Sequence, residues 1–138
     1  MITDIASSIS TRQYEITAQF KAVIDQNLED ILAGRTAEMY EIRDVAAIMH
    51  IHPTHLSNTV KLTTGNSACF YYENKIMRVA KGMLEDQSMA ISEIARRLTY
   101  DPSNFTKFFK RFAGMTPKQY REEIFARQRT AESEAITI

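Results

Sequence analysis

A chain of 138 residues with 44% hydrophobic content is one small domain, or two very small ones sharing a core. It has no apolar run near the ~20 residues of a membrane span, no basic start with an apolar stretch to mark a secretory signal, and one cysteine, Cys69, which excludes an internal disulfide framework and points to the cytoplasm. Net charge is zero but uneven: Met1 to Met77 carries 6 Lys and Arg against 9 Asp and Glu, while Arg78 to Arg129 carries 11 against 6, the local basic balance that phosphate binding requires.

Residues 1–11 are polar, rich in Ser and Thr, and expected to be flexible. From Arg12 to Ala33, the apolar residues Ile16, Phe20, Val23, Ile24, Leu28, Ile31 and Leu32 recur at three- and four-residue steps, which predicts an amphipathic helix stopped at Gly34. A short helix from Tyr40 or Glu41 turns Ile42, Val45, Ala46 and Met49 inward. Pro53 opens the next helix, with Leu56 and Val60 inside and Gly65 at its end. Residues 67–86 form a longer helix with Phe70, Tyr71, Ile76, Val79, Ala80, Met83 and Leu84 mostly on one side. Ile91, Ile94, Ala95 and Leu98 mark another short helix, and Asp101 caps a helix that opens at Pro102. That helix is expected to bury Phe105, Phe109 and Phe112 and to leave Phe108 partly exposed. Thr116-Pro117 starts a last helix through Tyr120, Ile124 and Phe125, fraying near Gln128 into a flexible tail at 128–138. Nothing alternates with period two, so the fold class is all-α, with about seven helices.

Residues 42–78 resemble residues 91–127 at a constant offset of 49, with 8 identities in 37 ungapped positions. Ile42/Ile91, Ala46/Ala95, Pro53/Pro102, Lys61/Lys110, Gly65/Gly114, Tyr71/Tyr120, Glu73/Glu122 and Arg78/Arg127 are identical. Such a period means two copies of one supersecondary unit, here two short helices around a tight turn. In a DNA-binding helix-turn-helix the first helix crosses the backbone and the second lies in the major groove. A small residue is needed where the axes cross, and Ala46 and Ala95 stand there. Apolar anchors are needed inside the second helix, and Leu56 with Val60, and Phe105 with Phe109, supply them. The outer face then reads Thr54, His55, Ser57 and Asn58 in the first unit, and Ser103, Asn104, Thr106 and Lys107 in the second. Asn can pair with adenine, Lys with guanine, and Ser or Thr with either.

The stretch Ile91-Ser92-Glu93-Ile94-Ala95, then Phe105, then Phe109 through Arg121 (with Gly114, Thr116-Pro117 and Tyr120-Arg121 at the same spacing) closely resembles the C-terminal signature of the AraC/XylS family of bacterial transcription regulators. The resemblance covers roughly residues 35–125. It implies a double helix-turn-helix domain over 12–127, with a first unit at about 40–66, a linker helix at about 67–86 and a second unit at about 89–127. It implies a sequence-specific DNA-binding regulator that reads two successive major grooves, ~34 Å apart, from one side of the duplex. By the family's pattern Thr54, Ser57 and Asn58 face bases in one groove, and Ser103, Thr106 and Lys107 in the next. Lys61, Arg78, Lys110 and Arg111 are the phosphate candidates. Double-stranded promoter or operator DNA is the expected partner, with RNA polymerase a further one. No membrane, cofactor or small-molecule pocket is expected. Such regulators usually carry a sensing domain ahead of this region, and residues 1–40 are too short for one. The chain therefore reads as a stand-alone regulator or as the DNA-binding part of a longer protein.

The departures from that pattern make their own predictions. The family often has glycine then phenylalanine in the turn of the second unit, where this chain has Thr99 and Tyr100. Threonine tolerates a left-handed backbone poorly, which predicts an altered turn. Glu41 and Ala90 are poor helix caps. Asp44 and Glu93 occupy one repeat position, which argues for a shared structural role rather than catalysis. His50, His52 and His55 could suggest a zinc or nickel site, but a turn and an exposed helix face tend to splay them. No Ser-His-Asp spacing, phosphate loop or glycine-rich fingerprint appears, so no catalytic residue is assigned. The alternative to the regulator is a helical protein-interaction module that has lost DNA binding, motivated by the near-acidic first unit.

Overall fold

The computed structural model describes residues 8–137, with side chains through Ser133. Seven helices follow one another among these residues, and no strand: α1 (Thr11–Leu32), α2 (Ile42–Met49), α3 (Pro53–Thr64), α4 (Ala68–Leu84), α5 (Ile91–Arg97), α6 (Pro102–Ala113) and α7 (Pro117–Thr137). The chain divides within α4 into two compact units, one ending at Lys75 and the next beginning at Ile76.

In the first unit α1, α2 and α3 pack on one another. Ile16, Phe20, Ile24, Leu28 and Ile31 of α1 are buried with Val45, Ala46 and Met49 of α2 and Leu56 and Val60 of α3. Val23 is half-buried and Leu32 exposed, so the inward stripe is narrower than the sequence reading has it. The helix starts at Thr11 because Ser10 and Gln13 cap it reciprocally: Gln13 N donates to Ser10 Oγ at 3.1 Å and Ser10 N donates to Gln13 Oε1 at 2.8 Å. Residues 1–7 of the expected flexible segment lie outside the described residues.

In the second unit α6 packs against α5 and α7, and Ile94, Ala95, Leu98, Phe105, Phe108 and Phe109 are buried. Helix α7 continues past Gln128 to Thr137 instead of fraying there. Two aromatic placements correct the sequence reading. Phe108 is buried, because Tyr100 from the turn stacks on its ring at 5.2 Å and 18°. Phe112, in the last turn of α6, packs on Phe108 at 5.1 Å but keeps 36% of its surface exposed, with the Arg111 guanidinium 5.0 Å over its ring. In α4 the buried residues are Ala68, Tyr72, Ile76, Ala80 and Leu84, a four-residue repeat, with Met77 beside it. Phe70 stands about 200° round the helix from Tyr72 and is exposed.

Candidate nucleic-acid interface

The two helix-turn-helix units are the same local structure built twice. Ala46 and Ala95 are fully buried, as the close crossing of the first and second helices demands. Each turn contains one left-handed residue, His50 at φ 57° and Thr99 at φ 68°. The residue after it donates back to the buried alanine, Ile51 N to Ala46 O at 3.0 Å and Tyr100 N to Ala95 O at 2.8 Å. The second turn is therefore not altered by Thr99; the threonine accepts the left-handed conformation in place of a glycine. Each second helix has proline at its first position and ends at a left-handed glycine, Gly65 at φ 78° and Gly114 at φ 77°, whose N–H donates to Lys61 O and Lys110 O at 2.9 Å. Ser67 and Thr116 then cap the next helix in both copies, receiving Phe70 N at 3.0 Å and Gln119 N at 3.2 Å.

The caps in front of the second helices differ. Asp101 accepts from Ser103 N at 3.1 Å and Asn104 N at 3.4 Å, while His52 Nδ1 accepts from Thr54 N at 3.1 Å. The hydrogen bond from the Ser103 hydroxyl, then those from the backbone, hold the Asp101 carboxyl below its ordinary value near 3.8. The His52 bond fixes that ring nitrogen as an acceptor. Among the described residues no group of three or more His, Cys, Asp or Glu is placed to hold a metal ion. Asp44 and Glu93 do structural work: Asp44 receives Glu41 N at 2.8 Å, supplying the cap that Glu41 was not expected to find, and Glu93 pairs with Arg97 at 3.5 Å.

On the outer face of α3, Thr54, His55 and Asn58 are exposed and Ser57 is half-buried. On α6, Ser103, Asn104 and Lys107 are exposed and Thr106 is half-buried. The Ser103 hydroxyl donates to Asp101 Oδ2 at 2.5 Å and the Thr106 hydroxyl to Pro102 O at 3.0 Å. Of the phosphate candidates, Lys61 stands exposed in the first unit, and Arg78, Lys110 and Arg111 in the second. Exposed Arg96, Arg97 and Lys118 add to the basic surface of the second unit. The sequence reading assigned them no contact, although the charge balance of residues 78–129 already contained them.

A family model described as a helix-turn-helix domain matches residues 45–123, more than half the chain. The chain belongs to the AraC-type helix-turn-helix family. Among curated relatives it is 32% identical over 107 residues to the uncharacterized HTH-type transcriptional regulator YtdP of Bacillus subtilis, covering 77% of this chain and 14% of that protein. It is 24% identical over 111 residues to the Msm operon regulatory protein of Streptococcus mutans, covering 80% and 40%. The chain thus spans well under half the length of these relatives. Among solved structures it resembles the C-terminal domain of AraT, a response regulator from Geobacillus stearothermophilus, at TM-score 0.69 and 25% identity, covering 84% of this chain and 88% of that one. The DNA-binding domain of AdpA, solved with a target DNA, shares the fold at TM-score 0.60 and 21% identity, over 73% and 95%.

Proposed function

We propose that this chain is a sequence-specific DNA-binding transcription regulator, or the DNA-reading part of one, and that α3 and α6 enter two successive major grooves. The observation that carries the reading is the duplication of the reading head: two second helices with the same proline start, the same left-handed glycine stop and a polar outer face. Residues 12–127 act as the DNA-binding domain, with α4 linking its two heads. Thr54, Ser57 and Asn58 meet one groove and Ser103, Thr106 and Lys107 the next. The neighbouring exposed side chains His55 and Asn104 share one repeat position and belong to the same faces. Lys61, Arg78, Lys110 and Arg111 neutralise phosphates, so affinity falls steeply with salt. The setting is the bacterial cytoplasm, with RNA polymerase the partner once the chain sits at a promoter; no residue is assigned to catalysis. No helix among the described residues is long and apolar enough to cross a membrane.

One observation favours a protein-interaction role for the first unit. Ile48 and Leu62, both exposed, stand at the repeat positions that Arg97 and Arg111 fill in the second unit. Selection of bound duplexes from a random ~20-base-pair library decides between the readings. Two half-sites about 10–10.5 base pairs apart are expected. A single short motif would leave the second unit as the only reader. No enrichment, with weak binding that ignores salt, would overturn the regulator and favour the interaction module.

A further inference from the structure

Repeat position 72/121 closes the segment that leads into the first helix of each unit, and it does so by two different chemistries. In the second unit Arg121 Nε donates to Leu84 O at 3.0 Å, and its Nη2 donates to Asp86 O at 3.2 Å and Met89 O at 2.7 Å. Leu84 is the last residue of α4, so its carbonyl has no partner inside the helix. Met89 stands two residues before α5 begins. One guanidinium thus ties the end of α4, the turn after it and the approach to α5 to helix α7. In the first unit the equivalent residue is Tyr72. Its hydroxyl donates to Asn27 Oδ1 at 3.3 Å, and the Asn27 side chain receives Tyr40 N at 2.9 Å and donates to Glu38 O at 3.0 Å. Tyr40 is the repeat equivalent of Met89, so the same residue is held in both copies, by its N–H through Asn27 in the first and by its carbonyl directly in the second.

An arginine in a basic, DNA-binding unit invites assignment to a phosphate. Three backbone carbonyls on a half-buried fork argue for another role. We propose that Arg121 is a positioning residue for DNA binding: it sets where α5 begins and hence where α6 stands, and it makes no phosphate contact. The inference rests on the DNA-binding reading and adds a residue that acts without touching the duplex.

The test is the salt dependence of binding to the best selected duplex for the full chain and its Arg121→Gln, Arg121→Lys and Lys110→Ala variants. Amide hydrogen exchange over residues 85–91 is followed in parallel without DNA. Arg121→Gln is expected to weaken binding several-fold with the slope of log affinity against log salt unchanged, and to speed exchange at 85–91. Arg121→Lys keeps the charge but not the three-acceptor fork, so it is expected to behave like Arg121→Gln. Lys110→Ala is expected to lower the slope by about 0.9 without changing that exchange. The proposal is overturned if Arg121→Gln lowers the slope by about 0.9 while Arg121→Lys restores it, or if neither variant changes affinity or exchange. If the unmodified chain binds no duplex, the functional reading fails by itself. Faster exchange at 85–91 in the two Arg121 variants would then still support Arg121 as the residue that sets where α5 begins, and unchanged exchange would overturn that.

Discussion

The first and second helix-turn-helix units keep the same backbone punctuation and fill it with different chemistry. Proline opens and a left-handed glycine closes both second helices, and a hydroxyl residue caps the helix after each. Between those marks the first unit is aliphatic, with Leu56 and Val60 as anchors. The second is aromatic, with Phe105 against Tyr100 at 6.1 Å and against Phe109 at 6.0 Å, and Phe109 edge-on to Tyr120 at 5.5 Å. A histidine caps α3 where an aspartate caps α6. Asn58 stands where the second unit has Lys107. The geometry of a reading head is thus set by a few positions of special backbone conformation, and the side chains between them are free to specialise.

The core contrast is the largest in energy. Phe105→Ala should cost about 3–5 kcal/mol, because it removes a fully buried ring and its two aromatic partners, each such pair adding about 0.5–1.5 kcal/mol beyond area. Leu56→Ala should fall lower in its own range of about 2–5 kcal/mol. Urea unfolding of the two variants measures the gap, and equal costs would mean that the aromatic cluster adds nothing. The surface contrast comes next: Lys107→Ala should cost about 1–3 kcal/mol on the preferred site and relax specificity there. Asn58→Ala should relax preference in the other half-site without changing the salt slope. A Lys107→Ala protein that keeps both affinity and preference would show that the reading face of α6 is misplaced.

The turns offer a smaller test. A left-handed backbone costs an ordinary residue about 1–2 kcal/mol, and glycine gives back about 0.5–1 kcal/mol through its freer unfolded chain. Thr99→Gly should therefore stabilise the protein by roughly 0.5–1 kcal/mol. His50→Gly should gain less, since histidine enters this region more readily than threonine. Thermal unfolding checks the order, and a destabilised Thr99→Gly would mean that the threonine makes a contact of value. The smallest effect concerns the caps. The folded Asp101 carboxyl titrates below its ordinary value near 3.8, so its stabilisation is present above that value and is lost as pH falls through the folded one. Asp101→Asn still caps but does not titrate, and should flatten part of the acid transition followed by circular dichroism. Asp30 and Asp86 are also lowered, by their hydrogen bonds to Arg35 and Ser88 first, and act in the same sense.

Much of this architecture was legible because it is written in local signals. Pro53, Pro102, Gly65 and Gly114 mark helix ends by conformational restriction, and Ala46, Leu56, Ala95 and Phe105 mark the crossing by size and period. What was not legible depends on contacts distant in sequence or on competition between neighbours. Periodicity alone cannot show that Tyr100 folds over Phe108 and leaves Phe112 at the edge. It cannot show that Asp44 supplies the cap Glu41 lacks, since that needs the backbone of the turn. Nor can it show that Arg121 reaches three carbonyls 32 to 37 residues away. The outer faces of α3 and α6 were readable as polar, whereas the internal hydrogen bonds of Ser103 and Thr106 were not.

Those two bonds decide what the α6 hydroxyls can say to a base. A hydroxyl has one proton, and in Ser103 and Thr106 that proton already points at Asp101 Oδ2 and Pro102 O. While those bonds hold, each oxygen is left as an acceptor. In the major groove the partners for an acceptor are the amino hydrogens of adenine N6 and cytosine N4, while guanine and thymine offer acceptors of their own. Under the proposed docking, Ser103 and Thr106 favour amino-bearing edges and Lys107, a pure donor, favours guanine. In this arrangement helix α6 presents hydroxyl acceptors at Ser103 and Thr106 and a donor at Lys107.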